Sequence, residues 1–349
     1  MSHAVLTPSG RGALFLLLKA LPEGRVIVPG YTCSAVFESA RLAGRDVVTV
    51  EHQAGHLNLA PSDIANVVQA GDIIIATHQY GFPCDVSRIK ALADARGAIV
   101  IEDIAAALGA EIKGRPVGSV GLACFGSFDT SKLVHSPLKG GFVATDDAQL
   151  AADLKTTAAS HLKPMPALHT LRLVLTALIL IIVTKTAFYR LFYFLNFQLL
   201  GNYTAENGQL ASALNPYYQY SFSEWQARVV LKQLRQLNGI IAKREAIYAI
   251  YRREIRASDN FDTEVLSPER PGSLIRFPIY VRGDKIKVHR RLARAGIDTG
   301  FSFTTIAAPR EQTHAWLIAG RVLNLPFYTS MTARDVRAVV KAANQRETL

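Results

Sequence analysis

The sequence predicts an α/β fold with a mainly parallel sheet, and two observations carry this prediction. Between residues 26 and 145, short runs of Val and Ile alternate with amphipathic stretches of helical spacing. Continuous Val/Ile runs are typical of strands buried on both faces, as in parallel sheets covered by helices on each side. The 349-residue chain is also long enough for a second, smaller α+β unit at its C-terminal end.

Composition and charge limit the classes of function that this protein can have. Apolar residues make up 49% of the chain, which excludes wholesale disorder. Basic residues exceed acidic ones by 39 − 28 = 11, which favours an acidic partner such as a phosphorylated substrate or an anionic membrane. No nucleic-acid partner is predicted, because no basic-aromatic module accompanies the charge. Three scattered cysteines predict neither a metal site nor a disulfide framework, and a reducing compartment is expected.

Strands and helices are predicted to alternate along the chain. The strands are expected at residues 25–28, 46–50, 72–76, 98–101 and 123–125, and the helices at 34–42, from 61 onwards and at 85–95. Residues 222–255 have long helical periodicity, and short strands and helices then return, for example at 275–281 and 333–343. We place the domain boundary near residue 235, which predicts a large domain of residues 1–235 and a small domain of residues 236–349.

The residues that follow the strands are the first candidates for a site, because ligands of such sheets bind beyond the carboxyl ends of the strands. Asp103 ends one strand, where a carboxylate can stay charged against a cationic ring or a metal. Taken alone, Asp103 is more simply the cap of a following helix. Lys132 follows another strand, where it could bind an aldehyde as an imine or be a solvated loop lysine.

Two further features suit a phosphate group. Ser127 offers a hydroxyl after a strand, and Gly10 and Arg11 open an apolar helix whose first backbone amides are free. Each feature alone is no more than a common turn. Pyridoxal phosphate (PLP) needs one partner each for its ring nitrogen, its aldehyde and its phosphate. The carboxylate after one strand, the lysine after another and the free helix amides together match these three needs.

Six ordered segments carry a family resemblance. They are VIVPGYTCSAVFESARLAGRDVVTV (26–50), THQYGFPCDVSRI (77–89), VIEDIAAALGAEIKGRPVGSVG (100–121), SFDTSKLVHSPLKGG (127–141), SFSEWQARVVLKQLRQLNGIIAKRE (221–245) and LNLPFYTSMTARDV (323–336). Together they resemble the DegT/DnrJ/EryC1/StrS family of fold-type I, PLP-dependent sugar aminotransferases. The resemblance covers most of the chain except about residues 160–205. It implies a three-layer fold-type I large domain, a smaller C-terminal domain and a homodimer.

The resemblance also implies roles for individual residues. Lys132 matches the lysine that bonds to the cofactor aldehyde, and Asp103 matches the partner of the pyridine nitrogen. Ser127 matches the phosphate-binding serine. Gly10 and Arg11 fall where the family has a Gly-Thr pair whose amides bind the phosphate.

Other matched positions adjoin the cofactor ring or depart from the family pattern. Ala105 matches the small residue that lies against the ring. Cys33 stands where the family has a stacking aromatic residue, and Ala106 stands where a Gln or His reaches the ring hydroxyl. Gln219 is near the position of an Asn that the partner subunit offers to the phosphate, and Lys139 replaces the Glu of a Glu-Gly-Gly turn. Weaker cofactor contacts, or shifted cofactor electronics, are expected from these departures.

The resemblance implies an enzyme that transfers an amino group from an amino-acid donor, with glutamate expected, to a keto-sugar. The sugar is expected to be nucleotide-linked, and the pathway to be cell-envelope polysaccharide or glycolipid biosynthesis. The alternative is a non-catalytic, membrane-associated relative that serves as a binding or assembly protein in the same kind of pathway. The departures at Cys33, Ala106 and Gln219 motivate this alternative.

Residues 164–203 are an apolar insertion that the family pattern lacks. No acidic residue lies between Asp153 and Glu206, whereas five basic residues do. Only twelve uncharged residues separate Arg172 from Lys185, and a spanning helix needs about twenty. We therefore predict a helical hairpin over about residues 166–200 that lies in or dips into the cytoplasmic face of an anionic membrane. A helical pair packed in a dimer interface is the alternative.

Overall fold

The computed structural model describes residues 1–54, 56–137, 139–183, 216–257, 261–262 and 272–345. The first nine strands are β1 (His3–Thr7), β2 (Val26–Pro29), β3 (Val47–Val50), β4 (Ile73–Thr77), β5 (Ile99–Asp103), β6 (Glu111–Ile112), β7 (Arg115–Pro116), β8 (Ala123–Ser127) and β9 (Gly141–Thr145). Seven of them form one sheet in the order β1-β9-β8-β5-β4-β2-β3. Strands β6 and β7 pair separately as a hairpin.

Five strands of the large sheet, from β3 to β8 in the sheet order, are parallel. The predicted parallel sheet is therefore confirmed, and its strand ends differ from the predicted ones by two residues or fewer. The antiparallel strands β9 and β1, which follow β8 in the sheet, were not predicted. Strand β1 lies at the edge and leaves Leu6 44% exposed, so it lacks the alternation of buried apolar and exposed polar residues by which a strand is recognised.

Helices cover both faces of this sheet. The first six are α1 (Gly10–Ala20), α2 (Ser34–Leu42), α3 (Pro61–Ile64), α4 (Val86–Arg96), α5 (Ala148–His161) and α6 (Ala167–Val183). Helices α1, α2 and α5 pack with Val26 and Val28 on one face, and α3 and α4 pack with Ile27 on the other. Because neighbouring residues of β2 enter opposite cores, the strand must be apolar without interruption.

The C-terminal part has its own antiparallel sheet. Its elements are α7 (Glu224–Leu234), α8 (Leu237–Glu254), β10 (Phe261–Asp262), β11 (Phe277–Val281), α9 (Lys285–Arg294), α10 (Thr313–Arg321), β12 (Val322–Leu325) and α11 (Ala333–Asn344). The sheet order is β10-β11-β12, which confirms a smaller α+β unit. The long helical stretch is two helices, because the chain turns at Arg235 and Gln236. The division at residue 235 stays a prediction.

Helix α6 corresponds to the first half of the predicted hairpin. The second half, from residue 184 to 200, lies outside the described residues. Among the helices of the described ranges, none is both long enough and apolar enough to cross a membrane.

Candidate active site

A cavity of about 590 Å³ lies at the carboxyl ends of the parallel strands. Thr77, Asp103 and Ser127, the last residues of β4, β5 and β8, line it together with the start of α1. Residues 298–304 of the C-terminal part form an opposite wall. The cavity therefore lies where sequence reasoning placed the ligand, at the edge shared by the strand ends.

Eight of the nine predicted site residues line this cavity. They are Gly10, Arg11, Cys33, Asp103, Ala105, Ala106, Ser127 and Lys132. Gln219 does not line it within the chain; it ends a short 3₁₀ turn, and its carbonyl accepts a hydrogen bond from the Lys163 amide at 2.7 Å. Its neighbour Tyr218 lines the cavity instead.

Asp103 is a buried carboxylate at the end of β5. Its Oδ1 accepts a hydrogen bond from the Ala105 amide at 2.9 Å. Residues 105–109 form turns, so Asp103 does not cap a helix. Burial raises the pKa of Asp103, while the Ala105 amide and the Lys132 ammonium act in the opposite direction. A buried anion is costly unless a cation accompanies it, so this position suits a positively charged ring.

The adjacent Glu102 has a structural role. Its two carboxylate oxygens accept hydrogen bonds, each at 2.7 Å, from the backbone amides of Gly118, Val120 and Gly121. Nδ1 of His78 accepts from the Cys84 amide at 3.0 Å, so Nε2 carries the proton and donates to Glu102 at 3.2 Å. Glu102 thus ties β5 to the loop before β8, whereas the next residue, Asp103, lines the cavity.

Lys132 lies in the loop after β8, and its amide donates a hydrogen bond to the Asp129 carbonyl at 2.9 Å. Burial raises the pKa of the Cys33 thiol, and the Lys132 ammonium opposes that rise, as it does at Asp103. Lys132 is therefore close enough to interact electrostatically with the side chains of both Cys33 and Asp103. The three groups come from separate loops at one end of the sheet.

The start of α1 packs tightly against the end of β8. The Ser9 hydroxyl caps the helix by accepting the Gly12 amide at 3.0 Å. A Cβ atom at Gly10 would lie only 2.9 Å from the Ser127 Cβ and 3.2 Å from its Oγ. The first-turn amides and the Ser127 hydroxyl therefore share one corner of the cavity, which is the arrangement that binds a phosphate.

Two buried hydroxyls on the cavity, Oγ1 of Thr32 and of Thr77, have no hydrogen-bond partner among the residues that the structure describes. Thr77 lies beside Asp103 in the register of β4 and β5. Buried polar atoms are normally paired, so a ligand with polar atoms is expected to contact them. A buried carboxylate, a nearby lysine, an amide cradle and two unpaired hydroxyls fit PLP.

Sequence reasoning missed the wall contributed by the C-terminal part. Phe303 stacks on Tyr80 with ring centroids 5.6 Å apart, and the Tyr80 hydroxyl lies 2.5 Å from that of Tyr31. Burial raises the pKa of Tyr80 to about 12. Tyr80 falls in a segment after a predicted strand, and this position at a strand end is the signal by which it could have been found. The sequence around Phe303 has no comparable signal.

Comparison with known proteins identifies the family. The model of the DegT/DnrJ/EryC1/StrS aminotransferase family matches residues 1–344. Over 160 residues the chain is 39% identical to the UDP-N-acetyl-3-dehydro-alpha-D-glucosamine 3-aminotransferase of Acidithiobacillus ferrooxidans. That alignment covers 44% of this chain and 43% of the relative, so it spans less than half of the relative's length.

Solved structures share the fold over nearly the whole chain. DesV of S. venezuelae, in complex with a ketimine intermediate, is 24% identical with a TM-score of 0.75, covering 99% of this chain and 86% of that one. Helicobacter pylori PseC, an aminotransferase involved in the biosynthesis of pseudoaminic acid, is 16% identical with a TM-score of 0.75 and coverages of 98% and 86%. The chain therefore has the fold-type I architecture and belongs to the DegT/DnrJ/EryC1/StrS aminotransferase family.

Proposed function

We propose that the protein is a PLP-dependent aminotransferase that transfers an amino group from an amino-acid donor to a keto-sugar. The observation that carries the proposal is that Lys132 and Asp103 line one cavity beside the free amides of α1. The family and the A. ferrooxidans relative support a nucleotide-linked keto-sugar as substrate. Glutamate is the expected donor, and envelope polysaccharide or glycolipid biosynthesis the expected pathway.

Five residues of the site have roles in the proposed reaction. Bound PLP would supply an electron sink for the negative charge that develops at the donor carbon. Asp103 would keep the ring nitrogen protonated, Ser127 and the amides at Gly10 and Arg11 would hold the phosphate, and Lys132 would hold the aldehyde. With the donor bound, the Lys132 amine would be the general base that removes the proton from the donor Cα.

Covalent labelling tests this proposal. Protein incubated with PLP and reduced with borohydride is expected to carry a phosphopyridoxyl group on the Lys132 peptide, as read by mass spectrometry. Lys132→Ala should lose the label. Lys90→Ala should keep it, because Lys90 forms an ion pair with Asp94 on the surface of α4. The labelled protein is then assayed with glutamate and a UDP-linked 3-keto-sugar. Absence of any label contradicts the aminotransferase and favours the non-catalytic relative.

We also propose that α6 attaches the protein to the cytoplasmic face of an anionic membrane. Six of its large apolar side chains are about half exposed or more, at Leu168, Leu171, Leu175, Leu178, Ile179 and Ile182. At 100° per residue these positions lie on one face of the helix. Arg172 lies in the same helix, and no acidic residue does. Apolar faces with basic neighbours bind at the surface of anionic lipid bilayers.

Vesicle flotation tests the attachment. The protein is expected to float with phosphatidylglycerol-containing vesicles, and Leu171→Asn combined with Leu175→Asn should abolish this. Leu231→Asn on α7 is the control, because Leu231 is also about half exposed but lies outside the stripe. If the parent protein does not float with these vesicles, the attachment is refuted. In that case, dissociation of an oligomer by the double variant would assign α6 to a dimer interface.

A homodimer completes the proposal, since the family resemblance implies one. Light scattering is expected to give twice the 38.1 kDa mass of the chain. A monomeric mass at micromolar concentration would contradict it.

A further inference from the structure

Arg276 is a cation on the cavity wall that has no carboxylate partner among the residues the structure describes. The cationic side chains lining the cavity in the described ranges are Arg11, Lys132, Lys139 and Arg276. Two of these have partners, because Arg11 Nε donates to Glu38 at 2.9 Å and Lys139 lies 3.7 Å from Asp129. Lys132 has a role in the proposed reaction. Arg276 has none.

The position of Arg276 is held by its neighbours in sequence. Ile275 and Phe277 are 7% and 2% exposed, and Phe277 begins β11. The Ile275 amide donates a hydrogen bond to the Tyr80 carbonyl at 3.0 Å. Arg276 Nη1 lies 3.6 Å from the position that a Cβ atom would occupy on Gly300. The backbone of Arg276 is therefore held at the start of β11, and its guanidinium lies beside the wall formed by residues 298–304.

A second arginine increases the positive charge at this end of the cavity. Arg244 Nη1 donates to the carbonyls of Ile275 at 3.1 Å and of Phe327 at 2.9 Å, and these acceptors carry no net charge. Burial and the charge of Arg276 lower the pKa of Arg244 to about 10, so the two cations repel each other. At this end of the cavity Asp298 is the lining carboxylate among the described residues, so the two cations exceed it in charge and favour an anion.

We propose that Arg276 binds an oxyanion of a reactant, either the carboxylate of the amino-acid donor or a phosphate of the sugar nucleotide. This inference rests on the proposed function, which requires two reactants to use one cavity. A guanidinium binds either group through two parallel N–H···O hydrogen bonds. Thr299 and Ser302 line the same wall and bring hydroxyls to it.

Direct binding of two unreactive probes tests the inference. Calorimetry with glutarate and with UDP is carried out on the purified full chain. Arg276→Gln is expected to weaken the binding of one probe at least tenfold. Arg276→Lys is expected to weaken it by a smaller factor, because lysine keeps the positive charge but lacks the planar guanidinium that donates two parallel hydrogen bonds. Loss of glutarate binding assigns the donor carboxylate, and loss of UDP binding assigns the sugar nucleotide. Arg88→Gln, an 81% exposed side chain on α4, should leave both affinities unchanged.

The inference is overturned if Arg276→Gln binds both probes as the parent does, or if the parent binds neither at millimolar concentration. Should Arg276→Gln fail to fold, Arg276→Lys carries the test, and unchanged affinities for it overturn the inference in the same way. Neither probe can be transaminated. Failure of the labelling experiment at Lys132 is therefore separate from failure here.

Discussion

At the scale of single residues, Asp103 has opposite effects on stability and on function. Burial raises its pKa in the folded chain, so its stabilising contribution is complete below the unfolded pKa of about 3.9 and is lost as the pH rises through the folded pKa. Asp103→Asn is therefore expected to raise the Tm of the PLP-free protein at pH 8. The same change should weaken PLP binding at least tenfold, or about 1.4 kcal/mol, because an amide cannot hold the ring nitrogen protonated.

Thermal unfolding from pH 4 to pH 8 and an absorbance titration with PLP measure both effects. The gain in Tm should grow with pH and then level off. Asp94→Asn is the control, because Asp94 is exposed on α4. Unchanged PLP affinity in Asp103→Asn would remove the assigned role of this carboxylate.

At the scale of elements, the junction between α1 and β8 depends on Gly10. In Gly10→Ala the added methyl would meet the Ser127 Cβ at 2.9 Å, and that atom cannot move without its strand. We expect a loss of stability of about 1–3 kcal/mol from overpacking, which exceeds the gain of up to about 1 kcal/mol from replacing a helical glycine. PLP affinity should fall with it, because the helix start forms the phosphate corner.

Gly239→Ala is the matched control for this prediction. Gly239 lies in α8, where an added Cβ would contact nothing within 4 Å. Only the higher helix propensity of alanine then acts, and the free energy of unfolding should rise by about 0.5–1 kcal/mol. Urea unfolding of both variants measures the difference. A Gly10→Ala protein as stable as Gly239→Ala would show that α1 can move away from β8.

At the scale of the whole molecule, Glu51 joins the large sheet to the C-terminal part. Its carboxylate follows β3 and accepts the backbone amides of His314 at 3.2 Å and Ala315 at 3.0 Å, in the first turn of α10. Glu51→Ala removes both hydrogen bonds and an anion at a helix N-terminus. We expect a loss of stability of about 1–2 kcal/mol and weaker binding at the cavity, whose walls come from both parts.

Urea unfolding and the calorimetric affinities for glutarate and UDP measure these effects. Glu111→Ala is the control, because Glu111 is exposed on β6, in the separate β6–β7 hairpin. If Glu51→Ala and Glu111→Ala are equally stable, the junction does not depend on this carboxylate.

The sequence by itself determined the large sheet and the edge of it at which the cavity lies. A strand buried on both faces is apolar along most of its length, so β2, β4 and β5 were visible as Val/Ile runs. Parallel strands share a carboxyl edge, so the loops carrying Asp103 and Lys132 had to meet there. The edge strand β1 escaped prediction because an edge strand is not constrained on both faces.

Only the tertiary structure decided the second wall of the cavity. Arg276 and Phe303 are distant in the chain from Lys132, and their approach depends on how β11 and α10 pack against the large sheet. Local patterns report burial and turn geometry within a few residues, and they carry no information on which distant loop closes a cavity.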